Sequence, residues 1–235
     1  MRLDGKTALV TGAGRRVGRA IAVELAAAGA RVAVHFHRSA TEAEALAAEL
    51  PGAVAIGADL RDADASRRLV DEAAARLGSL ELLVNSAADY LRRPLAEQED
   101  AAFEGLLALN LVAPARLIRL ALPLGLIAVV NLVDVAAWQA WRFHSAYGAT
   151  KAALHQLTRN LALELAPTVR VNAVAPGAIT MPAGFPAEEA ARIERRIPLG
   201  RFGVPEDVAR AVRFLCEEEY LTGVILPVDG GYQLR

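Results

Sequence analysis

Short apolar runs alternate with longer helical patterns along the whole chain, and this alternation constrains the fold more than any other feature. A strand of a parallel sheet reads as an unbroken apolar run because helices cover both faces of the sheet. The strand candidates are residues 7–11, 31–36, 53–57, 80–85, 126–132, 169–174 and 224–228. The helical segments between them are residues 17–28, 41–50, 63–77, 100–122, 146–166 and 205–218. The pattern predicts an α/β fold, a doubly wound sheet of seven mostly parallel strands with helices on both faces.

The chain is expected to form a single domain over residues 1–235, because no repeat, low-complexity tract or linker interrupts it. Right-handed crossovers would place the functional loops at the carboxyl ends of the strands. The least regular segment, residues 176–201, is rich in Pro, Gly and Ala, with one short helix predicted near residues 188–196. A segment of this kind between a strand and a helix commonly forms a substrate lid. We predict such a lid here, with a plain surface connection as the alternative.

Composition excludes several classes of protein. A net charge of −1 and a pI near 6.4 argue against nucleic-acid binding. The longest apolar stretch, residues 120–130, is broken by Pro123 and Gly125, so no transmembrane helix is expected. No signal-peptide pattern precedes the first strand, and the single cysteine, Cys216, lies on an apolar helix face that predicts a buried thiol. A cytoplasmic protein with no membrane segment and no metal site is expected.

A glycine-rich turn, TGAGRRVG at residues 11–18, lies between the first strand and the first helix. Glycines at this junction permit a tight turn and a close backbone approach, while the amino end of the helix attracts a pyrophosphate. Gly18 would also let the helix pack closely on the sheet. The turn therefore predicts a dinucleotide site, formed by Gly12, Arg15, Arg16, Val17 and Gly18.

The second strand ends in HFHRS at residues 35–39, where a dinucleotide fold contacts the adenosine ribose. An acidic residue there would bind the free hydroxyls of NAD, whereas arginine accommodates the 2′-phosphate of NADP. Arg38 and Ser39 supply charge and hydrogen bonds, with His37 close by, and no acid competes within this stretch. NADPH is therefore favoured as the cofactor, and a solvated polar loop is the alternative.

Tyr147 and Lys151 form the strongest candidate for chemistry. Only two of the 26 basic residues are lysines, Lys6 and Lys151, and Lys151 follows Tyr147 by four positions. Residues four apart on a helix share a face, so the ammonium and the phenol would point into the same space. A nearby cation lowers the pKa of a tyrosine toward a useful range. The alternative is an ordinary Tyr–Lys pair on a helix surface.

With these residues in view, the chain resembles the short-chain dehydrogenase/reductase superfamily over nearly its full length, which implies a Rossmann-like fold. The order and spacing of several pieces carry the resemblance: Thr11 and Gly12 through Gly18, Asp59, residues 85–87, Asn110, Tyr147 with Lys151, Pro176 with Gly177, and residues 228–231.

Three departures refine the resemblance. Most members have a third glycine where this chain has Arg16, and a serine thirteen residues before the tyrosine where it has Asp134. The usual Asn-Asn-Ala-Gly is NSAA at residues 85–88. Together with residues 35–39, these features look like the pteridine reductase subfamily, of the dihydromonapterin or dihydrofolate reductase type.

That resemblance implies a mechanism in which NADPH reduces a pterin or folate and the protein protonates a ring nitrogen. Tyr147 would donate the proton with Asp134 beside it, and Lys151 would hold the nicotinamide ribose and lower the pKa of Tyr147. Asn110 would organise a water relay to Lys151. The further cofactor contacts that it implies are Asp59, Leu60, Asn85, Ser86, Ala87, Tyr147, Lys151, Pro176, Gly177, Ala178 and Ile179. The implied substrate contacts are Arg16, Tyr90, Asp134 and Tyr147.

Several of these residues keep an alternative interpretation. Asp134 could only cap a helix, Arg16 could be a solvated residue at a helix start, and Tyr90 could be a packing anchor rather than a platform for a flat heterocycle. Trp138 and Trp141 would wall the substrate pocket or a subunit interface. His144 is expected to be structural or solvent-facing.

Two other functions remain open. One is an NADPH-dependent carbonyl reductase acting on 3-oxoacyl groups or other ketones, although such enzymes normally carry the serine that Asp134 replaces. The other is a non-catalytic NADP-binding regulator, which would typically lack the tyrosine or the lysine. The resemblance also suggests a homotetramer built on the last two long helices and the final strand.

Overall fold

A seven-stranded parallel sheet forms the centre of the molecule in the computed structural model, which describes residues 1–181 and 184–235. The strands are β1 Thr7–Val10, β2 Arg31–Phe36, β3 Val54–Gly57, β4 Leu82–Asn85, β5 Ala128–Leu132, β6 Arg170–Pro176 and β7 Ile225–Val228. They lie in the order β3-β2-β1-β4-β5-β6-β7, and every neighbouring pair is parallel. The predicted doubly wound sheet is confirmed, with all of these strands parallel rather than most of them.

Helices cover both faces of the sheet, as predicted. Their bounds are α1 Arg16–Ala27, α2 Ala40–Glu49, α3 Ala63–Leu77, α4 Asp100–Leu107, α5 Ala113–Ala121, α6 Ser145–Glu164, α7 Ala187–Glu194 and α8 Pro205–Glu217. Local chemistry sets some of these ends: the Asp62 carboxylate accepts from two backbone N–H groups at the start of α3, and Gly78 ends that helix in the left-handed region.

Two apolar cores lie on opposite faces of the sheet. Side chains of α1, α2 and α8 fill one face, and side chains of α3, α5 and α6 fill the other. Cys216 is buried in the first core, where burial raises the pKa of its thiol to about 12 and so keeps it protonated and unreactive. The strands are thereby covered on both sides, which explains their continuous apolar sequences.

The long helix predicted at residues 100–122 is interrupted by a π-helical turn, Ala108–Val112, between α4 and α5. Such turns occur mostly at functional positions in helices. The helical run Asp100–Leu124 is also long and apolar enough to cross a membrane by length and composition alone, so the expectation that no segment reaches that length was wrong. Half of its most apolar window is buried inside this fold, as in a core helix.

The direction of winding reverses at β1, whose neighbours are β2 on one side and β4 on the other. Ligands of open α/β sheets bind at such a point, beyond the carboxyl ends of the strands. The glycine-rich turn follows β1, and residues 85–88 end β4 and follow it, so both lie at this edge.

Candidate active site

A cavity of about 1510 Å³ opens at the carboxyl ends of the strands. Most of the predicted site residues line it, namely Gly12, Arg15, Arg16, Val17, Gly18, His37, Arg38, Ser39, Asp59, Leu60, Ser86, Ala87, Tyr90, Asp134, Tyr147, Pro176, Gly177, Ala178 and Ile179. Asn85, Asn110 and Lys151 do not line it, and each is at most 3% exposed. These three residues therefore lie behind the cavity wall, from where they can affect a ligand only through their neighbours.

The glycine-rich turn has the geometry of a pyrophosphate cradle. Gly12 has φ +65°, and a Cβ on Gly18 would lie 2.2 Å from the Gly12 carbonyl oxygen, so neither position suits a larger residue. Helix α1 starts at Arg16 with no side chain capping its first turn and no acidic residue in that turn. Its first N–H groups are thus free to bind an anion, and the residues present fit a dinucleotide.

Arg16 occupies the left-handed region, with φ +50°, where most members of the superfamily have glycine. A non-glycine residue in this region is uncommon and costs free energy. The Arg16 guanidinium donates to the Thr180 carbonyl oxygen at 2.9 Å and so joins the turn to the predicted lid. Arg16 thus links two walls of the cavity although its side chain is exposed at the start of α1, and its contact with a phosphate or substrate stays a prediction.

His35 supports the turn from below and is a residue that sequence reasoning passed over. Its ring is 2% exposed, its Nδ1 accepts from the Gly12 N–H at 3.0 Å, and its Nε2 lies 3.1 Å from the Ala58 carbonyl oxygen. This arrangement requires neutral imidazole with the proton on Nε2, and burial lowers the pKa of His35 to about 4. The sequence offers one signal for this role, which is that a histidine interrupts the otherwise apolar run of residues 32–36.

The predicted basic residues line the adenosine end of the cavity, and an unforeseen acid that does not line it, Glu42, pairs with one of them. Arg38 is exposed on the cavity wall and makes no ion pair with any part of the chain that the structure describes. Arg15, by contrast, is paired with Glu42 of α2 through a 2.8 Å bond from its Nε. Residues 35–39 contain no acid that could compete with a phosphate for the arginines, as expected. The pairing of Glu42, on the following helix, with Arg15 was not foreseen from the sequence.

Tyr147 and Lys151 lie one turn apart near the start of α6, as predicted, and Asp134 after β5 completes a contiguous set. The Tyr147 hydroxyl donates to Asp134 Oδ2 at 2.8 Å, while Asp134 Oδ1 accepts from the Ala136 N–H at 2.8 Å. The Asp134 carboxylate thus caps a short helical turn and binds the tyrosine at once, so the geometry is compatible with both of its interpretations and its catalytic role stays a prediction. Lys151 Nζ donates to the Leu132 carbonyl oxygen at 2.8 Å and lies 5.8 Å from the centre of the Tyr147 ring.

The protonation of this set differs from the sequence expectation. Lys151 was expected to lower the pKa of Tyr147, but burial and the adjacent Asp134 carboxylate raise that pKa well above its usual value. Burial also raises the pKa of Asp134, against the opposing hydrogen bonds and the Lys151 charge. Burial lowers the pKa of Lys151 to about 8. The Tyr147 phenol therefore retains a proton that it can donate, because burial and the neighbouring carboxylate disfavour the negative charge of its ionised form.

Asn110 lies in the π-helical turn, where its side chain bonds to the loop after β4, and the water relay to Lys151 stays a prediction. Its amide bonds both the N–H and the carbonyl oxygen of Asp89 at 2.9 Å, and its Nδ2 also lies 3.2 Å from Thr150 Oγ1. Asn110 thereby fixes the loop that carries Tyr90. The Asn85 side chain also makes a structural hydrogen bond: its Nδ2 donates to Asn131 Oδ1 at 2.8 Å within the sheet.

Tyr90 lines the substrate end of the cavity and remains 59% exposed. Its ring packs edge-on to Tyr147, with centres 4.9 Å apart, and its hydroxyl bonds His144 Nε2. His144 is not solvent-facing as one expectation had it: it is buried, with Trp141 packed against its ring. His144 is thus a support for Tyr90 that only the folded chain reveals.

The predicted lid, residues 176–201, forms one wall of the cavity, except that residues 182 and 183 lie outside the described part of the chain. It contains α7, and the Arg92 guanidinium on the facing loop binds Glu189 of this helix at 2.8 Å. Among residues 1–181 and 184–235 there is no cluster of three or more potential metal ligands.

A parallel sheet with a phosphate cradle at its switch point, beside a buried tyrosine and lysine and a half-buried carboxyl group, defines a nicotinamide-dependent oxidoreductase. The chain belongs to the short-chain dehydrogenase/reductase superfamily. A family model described as enoyl-(acyl carrier protein) reductase matches residues 12–233. The superfamily predicted from the motifs is confirmed.

Two relatives illustrate the similarity. The chain is 38% identical to L-xylulose reductase of Bos taurus over 245 residues, covering 99% of this chain and 98% of the relative. It is 37% identical to a granaticin polyketide synthase putative ketoacyl reductase of Streptomyces violaceoruber, covering 98% of this chain and 97% of the relative.

Two solved structures share the fold. A dehydrogenase/reductase from Sinorhizobium meliloti 1021 superimposes with a TM-score of 0.92 at 38% identity, covering 98% of this chain and 97% of the other. A blue fluorescent protein from a metagenomic library, solved in complex with NADPH, superimposes with a TM-score of 0.93 at 33% identity, covering 99% of each chain.

Proposed function

We propose that the protein is an NADPH-dependent reductase of ketones. One observation carries the proposal: a buried phenol, Tyr147, holds a proton at the wall of a cavity whose other end is a pyrophosphate cradle. The relatives named for L-xylulose and for ketoacyl groups support the substrate class. The carbonyl reductase alternative is thereby preferred to the pterin reductase that the motifs first indicated.

The chain's own residues divide the work of such a reaction. The turn around Gly12 and the start of α1 would hold the pyrophosphate, and bound NADPH would supply a hydride to the carbonyl carbon. Tyr147 would donate its proton to the carbonyl oxygen, and the protonated form of Asp134, which burial favours, would donate a second hydrogen bond at the position where most members of the superfamily have serine. Lys151, charged below a pH of about 8, stabilises the phenolate that remains.

NADPH is preferred to NADH because Arg38 and Ser39 line the ribose end of the cavity and Arg38 has no acidic partner among the described residues. The structural relative solved with NADPH supports the same choice. Arg15 contributes less, since Glu42 already neutralises it.

Arg38→Ala is expected to raise the KM for NADPH by roughly 10- to 100-fold, which is the size of one charged hydrogen bond. The KM for NADH should stay nearly constant, because NADH lacks the 2′-phosphate. Steady-state kinetics with both cofactors measure this, and Arg67→Ala on the exposed face of α3 is the control for loss of a distant charge. An equal loss for both cofactors would show that Arg38 does not bind the phosphate.

Pterin reduction remains a second candidate because of one specific observation. Asp134 replaces the usual serine and bonds Tyr147 directly, so a carboxyl group could pass protons to a ring nitrogen. The exposed Tyr90 ring next to Tyr147 would suit a flat heterocycle.

A substrate panel with Asp134→Ser separates the two candidates. NADPH oxidation is followed with L-xylulose and a 3-oxoacyl thioester on one side, and dihydropterin and dihydrofolate on the other. We expect turnover of ketones, retained within about tenfold in Asp134→Ser because serine can donate the same hydrogen bond. Turnover confined to the pterins, and lost in Asp134→Ser, would overturn the ketone proposal.

The homotetramer is kept as a proposal. Exposed apolar side chains lie on both helices that it would use, Leu163 on α6 and Phe214 on α8. Measuring the molecular mass of the protein in solution gives the number of subunits and tests this proposal.

A further inference from the structure

We propose that the substrate carries a carboxylate or phosphate group besides its carbonyl, and that arginines at the substrate end of the cavity hold this group. The inference rests on the proposed ketone reduction and names the class of ketone. Four arginines line that end, Arg92, Arg142, Arg192 and Arg196, and the carboxyl groups there are those of Glu189 and of Asp134, which is bonded to Tyr147. Such an excess of positive charge in a concave site attracts anions.

The arginines are not equivalent. Arg92 binds Glu189 at 2.8 Å, and Arg192 approaches the same carboxylate at 3.8 Å, so Glu189 partly neutralises both. Arg142 and Arg196 make no ion pair with an acid in the described residues. These two are the charges available to a ligand.

Both free arginines are held against aromatic rings. The Arg142 guanidinium carbon lies 4.8 Å from the centre of the Phe143 ring, and that of Arg196 lies 5.0 Å from the centre of the Tyr232 ring. Stacking leaves the in-plane N–H donors of an arginine available for two-point contact with a carboxylate or phosphate. Within the described residues, the only hydrogen bond of the Arg196 guanidinium is a long one of 3.5 Å to the Arg235 carbonyl oxygen.

The loop that presents Arg142 is also held in an unfavourable conformation. Phe143 has φ +71°, a region that a bulky side chain rarely adopts. The Arg93 N–H fixes it by donating to the Phe143 carbonyl oxygen at 2.8 Å. Backbone conformations of this cost concentrate at ligand sites, which agrees with a role for the Arg142–Phe143 pair in binding.

Matched pairs of ketones that differ only in charge test the proposal. A 3-oxo acid is compared with its methyl ester, and a phosphorylated ketose with the free ketose, in steady-state NADPH oxidation. Wild-type kcat/KM is expected to be at least about tenfold higher for one of the anions than for its neutral partner, the size of a charge-assisted hydrogen bond. The pair that shows the difference identifies carboxylate or phosphate as the group.

Arg196→Gln and Arg142→Gln should remove this preference by raising KM for the anion, with little change for the neutral ketone. Arg195→Gln is the matched control, because Arg195 is exposed beside Arg196 but does not line the cavity. Equal kcat/KM for charged and neutral ketones, or an equal loss for both in Arg196→Gln, would overturn the proposal.

Binding measurements test the anion site independently of whether the protein reduces ketones. The NADPH-loaded protein is titrated calorimetrically with a 3-hydroxy acid and with its methyl ester, which cannot react because cofactor and ligand are both already reduced. Tighter binding of the acid, lost in Arg196→Gln, supports the anion site even if no ketone is turned over. Equal binding of acid and ester overturns the anion site even if ketones are good substrates.

Discussion

Tyr147→Phe is expected to lower kcat by about 10²- to 10⁴-fold, the usual contribution of a positioned proton donor. The phenol is the group whose proton faces the cavity, and its only side-chain hydrogen bond in the described residues goes to Asp134. Removing one oxygen leaves the α6 backbone, Lys151 and the glycine-rich turn in place. The dissociation constant for NADPH should therefore change little, which fluorescence titration of the variant measures directly.

Tyr220→Phe is the control for this variant, because Tyr220 is fully exposed and removed from the cavity. Its kcat should equal that of the wild type. If Tyr147→Phe kept full turnover, Tyr147 would not be the proton donor. If it abolished turnover yet left cellular function intact while NADP binding persisted, the non-catalytic regulator would become the better interpretation.

Those parts of the site that depend on short stretches of sequence were predictable. The glycine-rich turn, Tyr147 with Lys151, and the strand ends that line the cavity each follow from a motif next to an apolar run, because parallel strands bring their carboxyl ends to one edge. Element bounds also agreed to within about two residues. The helix at residues 100–122 was the main exception, since its propensities do not reveal the π-helical turn around Asn110.

Features that depend on distant pairings were not predictable. Glu42 reaches Arg15 from a separate helix, and His144 meets Tyr90 across 54 positions of sequence. The pKa of Tyr147 went the opposite way from the prediction for a related reason. Proximity of a lysine is visible in the sequence, but burial and the contact with Asp134 are properties of the fold, and here they outweigh it.

Acidification is expected to weaken both stability and NADPH binding through His35. The pKa of its imidazole is about 4 in the folded protein, below the ordinary value of 6.5. Between these values the unfolded chain binds a proton that the folded chain does not, so the free energy of unfolding falls as the pH is lowered. The slope from this one group is at most about 1.4 kcal/mol per pH unit, and its contribution is complete above a pH of about 6.5.

The same proton would break the turn that holds the cofactor, because protonated His35 can no longer accept from the Gly12 N–H. Urea unfolding and NADPH titration at pH 7, 6 and 5 measure the two effects. Neighbouring groups also act on the pKa of His35, since Asp59 raises it and His37 lowers it. The decisive comparison is therefore between the pH profiles of wild type and His35→Asn, for both the free energy of unfolding and NADPH affinity. Asparagine keeps an acceptor for the Gly12 N–H but cannot be protonated there.

His35→Asn should flatten the pH dependence of both stability and NADPH affinity between pH 6.5 and 4, even if it is less stable at pH 7. His155→Asn is the matched control: burial also lowers the pKa of His155, but within the described residues its ring packs on Trp138 and makes no hydrogen bond to the turn. It should leave NADPH affinity at pH 5 unchanged. Parallel pH profiles for wild type and His35→Asn would mean that the His35–Gly12 bond does not couple protonation to the cofactor site.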